Sequence, residues 1–314
     1  MTQTQAYPLV GTGAHQYEAI HNWLVPPAHI TWGDTHGIAQ DAQGRIYIGH
    51  TVGEGSKSDH AIVVFDAAGN FLTSWGAGFK GGSHGLDLRR EGPEEFLYHC
   101  DTNRKLVVKT TLSGSMVWEK SVPTEAGVYG PKDPFVPTNC AFAPNGDFYV
   151  TDGYGSDWVN QYDNRGRFIR AFGGKGKEPG KLLCAHGIAV DTRFSPPRLV
   201  VADRGNNRLQ YFTLDGKHLG FVTAGMRQPC HFDIRGKLLL IPDLSSVVTI
   251  LDENNHVVAH LGDGHPTNLR GRPESEFIPG KFVHPHMARF LKDGSILVAE
   301  WVPQGRITLL RKVS

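Results

Sequence analysis

The chain has 314 residues and a formal net charge of +1, a balance that offers no electrostatic reason for a nucleic-acid or anionic-membrane partner. No run approaches the ~20 apolar residues of a membrane span, and no long helical apolar period is present. With 38 glycines and 19 prolines, the pattern is that of an all-β chain of short strands and tight turns, at a length that closed β architectures reach as one domain.

From the N-terminus, Met1-Thr-Gln-Thr-Gln-Ala-Tyr7 carries neither a basic nor an apolar leader segment, so a cytoplasmic location is expected. Tyr17-Glu-Ala-Ile-His-Asn-Trp23 reads as a strand with no local partner. Six similar segments follow: His36-Gly-Ile-Ala, His84-Gly-Leu-Asp, Asn139-Cys-Ala-Phe, His186-Gly-Ile-Ala, His231-Phe-Asp-Ile and His286-Met-Ala-Arg, at intervals of 45 to 55 residues. A repeat of that length means copies of one supersecondary unit.

The fourth copy shows the unit best, as strands over His186–Val190, Arg198–Ala202, Asn207–Thr213 and Lys217–Val222. The second strand ends in Asp101, Asp152, Asp203, Asp243 or Glu300, with His50 in the first copy. Turns such as Asp66-Ala-Ala-Gly69 and Asp215-Gly216 follow the third strand, as in tight hairpins. The last copy has only three strands, Met287–Leu291, Ser295–Ala299 and Arg306–Leu310, and residues 17–23 can supply its fourth. Such closure removes two exposed edges. The prediction is a single six-bladed β-propeller over 1–314, with blades starting near 36, 84, 139, 186, 231 and 286.

A residue type recurring at one point of the repeat occupies one shell around the axis, so the five histidines are expected at one height near one mouth of the channel. Histidine gathered there is a metal-site hypothesis. The acidic residues ending the second strands either orient the imidazoles or brace turns, and the turn role is favoured. The four cysteines (Cys100, Cys140, Cys184, Cys230) lack a CxxC spacing and read as reduced and buried. By strand alternation, Cys184 shares the face of His186, and Cys230 points away from that of His231. Residues 52–60 and 263–276 are long polar insertions that read either as lids or specificity elements or as mobile surface. Gly173–Gly180 joins two strands and is a linker between blades, not a phosphate loop.

The stretch Pro137-Thr-Asn-Cys-Ala-Phe-Ala-Pro-Asn-Gly-Asp-Phe-Tyr-Val-Thr-Asp-Gly-Tyr154 resembles the NHL-repeat propeller of peptidyl-α-hydroxyglycine α-amidating lyase. So do His186-Gly-Ile-Ala-Val with Ala202-Asp-Arg-Gly-Asn-Asn-Arg208, and Pro285-His286. The resemblance implies zinc on His84, His186 and His286, a catalytic base at Tyr154, and one of two active-site arginines at Arg204. The reaction it implies is cleavage of a carbinolamide into an amide and glyoxylate.

Four departures stand out. Thr51 occupies the place of the second arginine, and His284 that of a methionine. Met287 replaces the acidic ligand of a structural calcium, which argues against that ion here. His36 and His231 add imidazoles at axial positions, as further ligands, substrate contacts or braces for other residues, with His284 and His50 as additional contacts.

Zinc is expected from the resemblance, although iron, copper and nickel suit imidazole-only coordination as well. Three neutral nitrogens leave an ion its full charge and open positions. A phenolate at Tyr154 is favoured beside a cation or Arg204; otherwise Tyr154 packs over the mouth and Arg204 braces the Asp203 turn. The expected activity is a metal-dependent lyase on a small polar substrate. The alternatives are another His-rich metalloenzyme, such as a non-haem iron oxygenase or hydratase, and a non-catalytic NHL scaffold. The oligomeric state is not readable from the sequence.

Overall fold

The computed structural model describes residues 6–313; Met1–Gln5, where the absence of a leader was read, and Ser314 lie outside them. Six antiparallel sheets form the six blades of a β-propeller. Their innermost strands are Thr35–Gln40, Ser83–Glu91, Asn139–Phe142, Ala185–Asp191, Asp233–Arg235 and Pro285–Phe290. These correspond to blades 1 to 6.

Period-two alternation builds the core. Ile46 and Ile48 face a cluster shared with Leu297, Ala299 and Ile307 of blade 6, while Tyr47 between them faces Leu86, Leu97 and Val108 of blade 2. In blade 5, Leu240 packs toward blade 6, and Leu239 and Ile241 pack toward blade 4. Each blade thus buries both faces against its neighbours, leaving only the inner edges to line the channel.

The N-terminal strand closes the ring as predicted, over a shorter span. Tyr17–Ile20 pairs with Arg306–Lys312, placing Ala19 opposite Leu310. A further strand that sequence reading missed, Leu9–Val10, pairs outside it and makes blade 6 five-stranded. Val10, Tyr17 and Ala19 are buried with Ile296 and Leu310, so the closing strand contributes to the core between blades 5 and 6.

The acidic residues at the ends of the second strands brace loops. Asp101 accepts from the Asn103 and Arg104 amides, Asp243 from those of Arg227, Gln228 and Ser245, and Asp203 from that of Leu183. Glu300 accepts from Val283 N–H and pairs with Arg306. Each such bond satisfies a backbone donor that would otherwise be orphaned near the channel rim. Asp152 does the same for Val136 and Ser156, and its burial pushes the carboxyl up to about 7.

A candidate metal centre on the propeller axis

Register decides which side chains reach the axis. Thr35 lies opposite His50, Ser83 opposite Asp101, Ala185 opposite Asp203 and Pro285 opposite Glu300. The next residue in each strand is His36, His84, His186 or His286. The pairing slips immediately after each of these positions. Such a β-bulge re-aims a side chain, and here it turns four imidazoles toward the axis.

In blade 5 the equivalent pair is Pro229 with Asp243. The axial residue is therefore Cys230, and the expectation that His231 heads this strand is off by one. His231 lies lower in the channel, with Nε2 3.6 Å from Asp87 and neither ring nitrogen hydrogen-bonded among the described residues. Asp87 is held there by Arg289 at 2.5 Å and Asn139 at 3.0 Å. Together with Asp233, His231 and Asp87 line a separate cavity of about 190 Å³. The structure does not bring His231 to the other histidines.

His36, His84, His186 and His286 are all buried and form one cluster, with ring centroids 4.6 to 4.9 Å apart for five of the pairs. Donor nitrogens of His36, His84 and His286 all lie within 4.8 Å of one another. His186 adjoins them, but its Nε2 faces the Tyr154 hydroxyl at 2.9 Å. Burial holds His84 down to about 3 and His36, His186 and His286 well below the ordinary imidazole range. The rings are thus neutral, as metal ligands must be.

Three of the rings share one anchoring device. His84 Nδ1 lies 2.8 Å from the Thr138 carbonyl, His186 Nδ1 2.8 Å from that of Cys230, and His286 Nδ1 3.3 Å from that of His36. A carbonyl can only accept, so Nδ1 carries the proton and the Nε2 lone pair points inward. Gly85 and Gly187 make the two short contacts feasible: a Cβ at either would collide with the Thr138 or Cys230 carbonyl oxygen. Met287 follows His286, where the contact is longer.

Tyr154 sits over this layer. Its hydroxyl lies 2.9 Å from His186 Nε2, 3.2 Å from His84 Nε2 and 3.2 Å from Arg204 Nη2. The residue is 41% exposed, because the ring covers the mouth while the hydroxyl points in. Burial of the hydroxyl pushes the phenol up to about 12, and Arg204 only partly offsets it. Arg204 alone therefore leaves Tyr154 a neutral phenol, and the phenolate expected from sequence would depend on the cation.

The Arg204 guanidinium contacts the thiols of Cys184 at 3.1 Å and Cys230 at 3.6 Å. Cys184 thus reaches the site as predicted, and Cys230 does so on the face opposite His231, as alternation required, because Cys230 and not His231 heads the strand. Among the described residues Arg204 has no carboxylate partner.

The other sequence candidates lie apart from the cluster. His50 accepts from the Gly33 and Val52 amides through Nδ1 and reaches the His60 carbonyl through Nε2, taking the bracing role that acids play in other blades. His284 is at the rim, with Nδ1 2.5 Å from the Leu244 carbonyl and its ring against Trp301. Sequence reasoning missed Arg270, which the 263–276 insertion carries to the rim of blade 1. It pairs with Asp34 at 2.9 Å and stacks 3.6 Å from the Trp301 ring centroid.

No family model matches the chain. It is similar to NHL repeat-containing protein 3 of Homo sapiens, 27% identical over 237 residues, 71% of this chain and 65% of that protein. It is also similar to the probable peptidyl-alpha-hydroxyglycine alpha-amidating lyase pgal-1 of Caenorhabditis elegans, 25% identical over 202 residues, 58% of this chain and 56% of that protein. The chain thus spans about two thirds and just over half the length of these curated relatives. Among solved structures, a streptogramin B lyase superposes with a TM-score of 0.61 at 14% identity, covering 93% of this chain and 97% of that one, a likeness of fold. The resemblance to NHL-repeat and amidating-lyase proteins stands on sequence, and the solved structures share the propeller fold.

Proposed function

We propose that the chain is a metal-dependent lyase acting at the axial mouth on a small substrate bearing a hydroxyl and a carboxylate. One observation carries this reading: the Tyr154 hydroxyl touches two inward-facing imidazoles and a guanidinium that has no carboxylate partner among the described residues. A half-buried guanidinium without an anion is matched to a planar carboxylate. The similarity to an amidating lyase suggests the carbinolamide as substrate type.

The donor set fits a divalent ion: donor nitrogens of His36, His84 and His286 lie within 4.8 Å of one another, His186 adjoins them with its Nε2 lone pair directed inward, and all are neutral. When bound, such an ion supplies Lewis acidity and stabilises nearby anions. Arg204 would hold the substrate carboxylate and orient the carbinol carbon below Tyr154. With an ion bound, Tyr154 would serve as the phenolate, its own proton released to solvent, and its oxygen would take the hydroxyl proton as the C–O bond becomes a carbonyl. The C–N bond breaks with its electron pair on nitrogen, and Tyr154 returns the proton there, giving an amide and glyoxylate. Arg204 Nη2, 3.2 Å from the Tyr154 oxygen, would hold that oxygen in place for both transfers once His186 Nε2 is given to the ion.

The test is elemental analysis of protein purified without added metal, repeated for His186→Ala, followed by a glyoxylate assay on α-hydroxyglycine derivatives. Close to one ion per chain, lost in the variant, with glyoxylate release supports the reading. Absence of bound ion after reconstitution overturns it. An ion without glyoxylate release keeps the centre and rejects the substrate.

A further inference from the structure

His36 differs from the other three cluster histidines in what its Nδ1 faces. His84, His186 and His286 each turn Nδ1 to a backbone carbonyl. His36 Nδ1 instead faces His286 Nε2 at 3.4 Å. The His286 proton is on Nδ1, so its Nε2 presents a lone pair to His36. As a hydrogen bond this contact is long, beyond the usual 2.7–3.2 Å span for N–H donors. Two nitrogens bound tetrahedrally to one ion at about 2.0–2.1 Å lie roughly 3.3–3.4 Å apart. The His36–His286 spacing is that of two donors sharing an ion.

We infer that His36 is a fourth ligand, through Nδ1, in a four-imidazole centre completed by the Nε2 atoms of His84, His186 and His286. The inference rests on the reading that the cluster holds an ion. The bulge after Thr35 aims the His36 ring inward as the bulges in blades 2, 4 and 6 aim theirs, and its ring lies 4.6 and 4.9 Å from those of His286 and His84. No carboxylate joins the cluster among the described residues, and the nearby charges, Arg204 and Arg270, are both positive.

Four ligands have a chemical consequence. An ion satisfied by four donors, as zinc is in closed structural sites, would have no position for substrate. The centre therefore suits an ion that is tetrahedral at rest and admits a fifth donor during turnover, as zinc can. The added position would take an anionic oxygen donor, which the surrounding positive charge favours.

The experiment loads metal-free protein with cobalt(II) and counts imidazoles by X-ray absorption, in the native chain and in His36→Gln. Four imidazoles falling to three is expected, with at least about a 10-fold loss of cobalt affinity, since even partners outside the ligand set change affinity by 10–100-fold. His231→Ala should leave count and affinity unchanged. Three imidazoles in the native chain overturn the inference whether or not His36→Gln folds. No cobalt binding by the native chain sinks the metal reading itself.

Discussion

The Tyr154 hydroxyl and His186 Nε2 stand 2.9 Å apart, with the imidazole proton fixed on the far nitrogen by the Cys230 carbonyl. The phenol must therefore donate and the imidazole accept. The polarity of this bond follows from the backbone of the next blade.

Tyr154→Phe removes that donor and leaves the ring over the mouth. Turnover is expected to fall by about 10²–10⁴, the usual worth of a positioned acid or base, with bound metal unchanged. Single-turnover kinetics and elemental analysis on the same sample check this; a variant that loses its metal would show that the hydroxyl holds the imidazoles instead.

Arg204→Gln leaves the Cys184 and Cys230 thiols without their guanidinium. KM for a carboxylate-bearing substrate should rise about 10- to 100-fold, matching roughly 1.5–3 kcal/mol for a hydrogen bond to a charged group. The corresponding amide substrate should be affected little. Equal losses on both substrates would place Arg204 outside carboxylate recognition.

Gly187→Ala puts a methyl group into the Cys230 carbonyl oxygen and breaks the anchor of His186. Overpacking of this kind costs about 1–3 kcal/mol, read as a lower urea midpoint. Metal affinity should fall about 10- to 100-fold as the ring loses its fixed tautomer. Gly13→Ala, where a Cβ meets nothing within 4 Å although φ is +56°, should cost stability only through its left-handed backbone and leave metal affinity unchanged.

Stability of the metal-free protein should fall in acid. His50 is held down to about 4, and His84 and His99 to about 3, all by burial. The unfolded rings protonate near 6.5 and the folded ones far lower. Stability is thus complete above pH 6.5 and lost as pH falls toward 3, by at most about 1.4 kcal/mol per pH unit for each ring. Urea unfolding at pH 7, 5.5 and 4.5 reads the slope. His99→Gln, remote from the cluster and stacked on Phe79, should make it shallower.

Most of the fold was legible because alternation and turn chemistry repeat six times, and errors in one blade are corrected by the others. The site was legible wherever His-Gly marks a strand start, at His36, His84 and His186. It failed at His231, because a one-residue slip exchanges the two faces of a strand and the regular inner strand of blade 5 begins only at Asp233. The slip also hid Cys230. Arg270 was invisible for a different reason: its partner Asp34 lies 236 residues away, and loop contacts leave no period in a sequence. The neutral phenol of Tyr154 reflects burial, which residue order does not report.

The anchoring bonds of His84, His186 and His286 each cross from one blade to the next, from 2 to 3, 4 to 5 and 6 to 1. The centre is thus stitched across alternate seams of the ring. The last seam is where the chain meets itself, because blade 6 is completed by Tyr17–Ile20 and His36 opens blade 1. Loosening of the N-terminal strand, which lies on the outer side of blade 6, would reach the His286–His36 edge through the strands between them. The axial cluster is in that sense a gauge of ring closure, and an ion seated there would act as a rivet between the two ends of the chain.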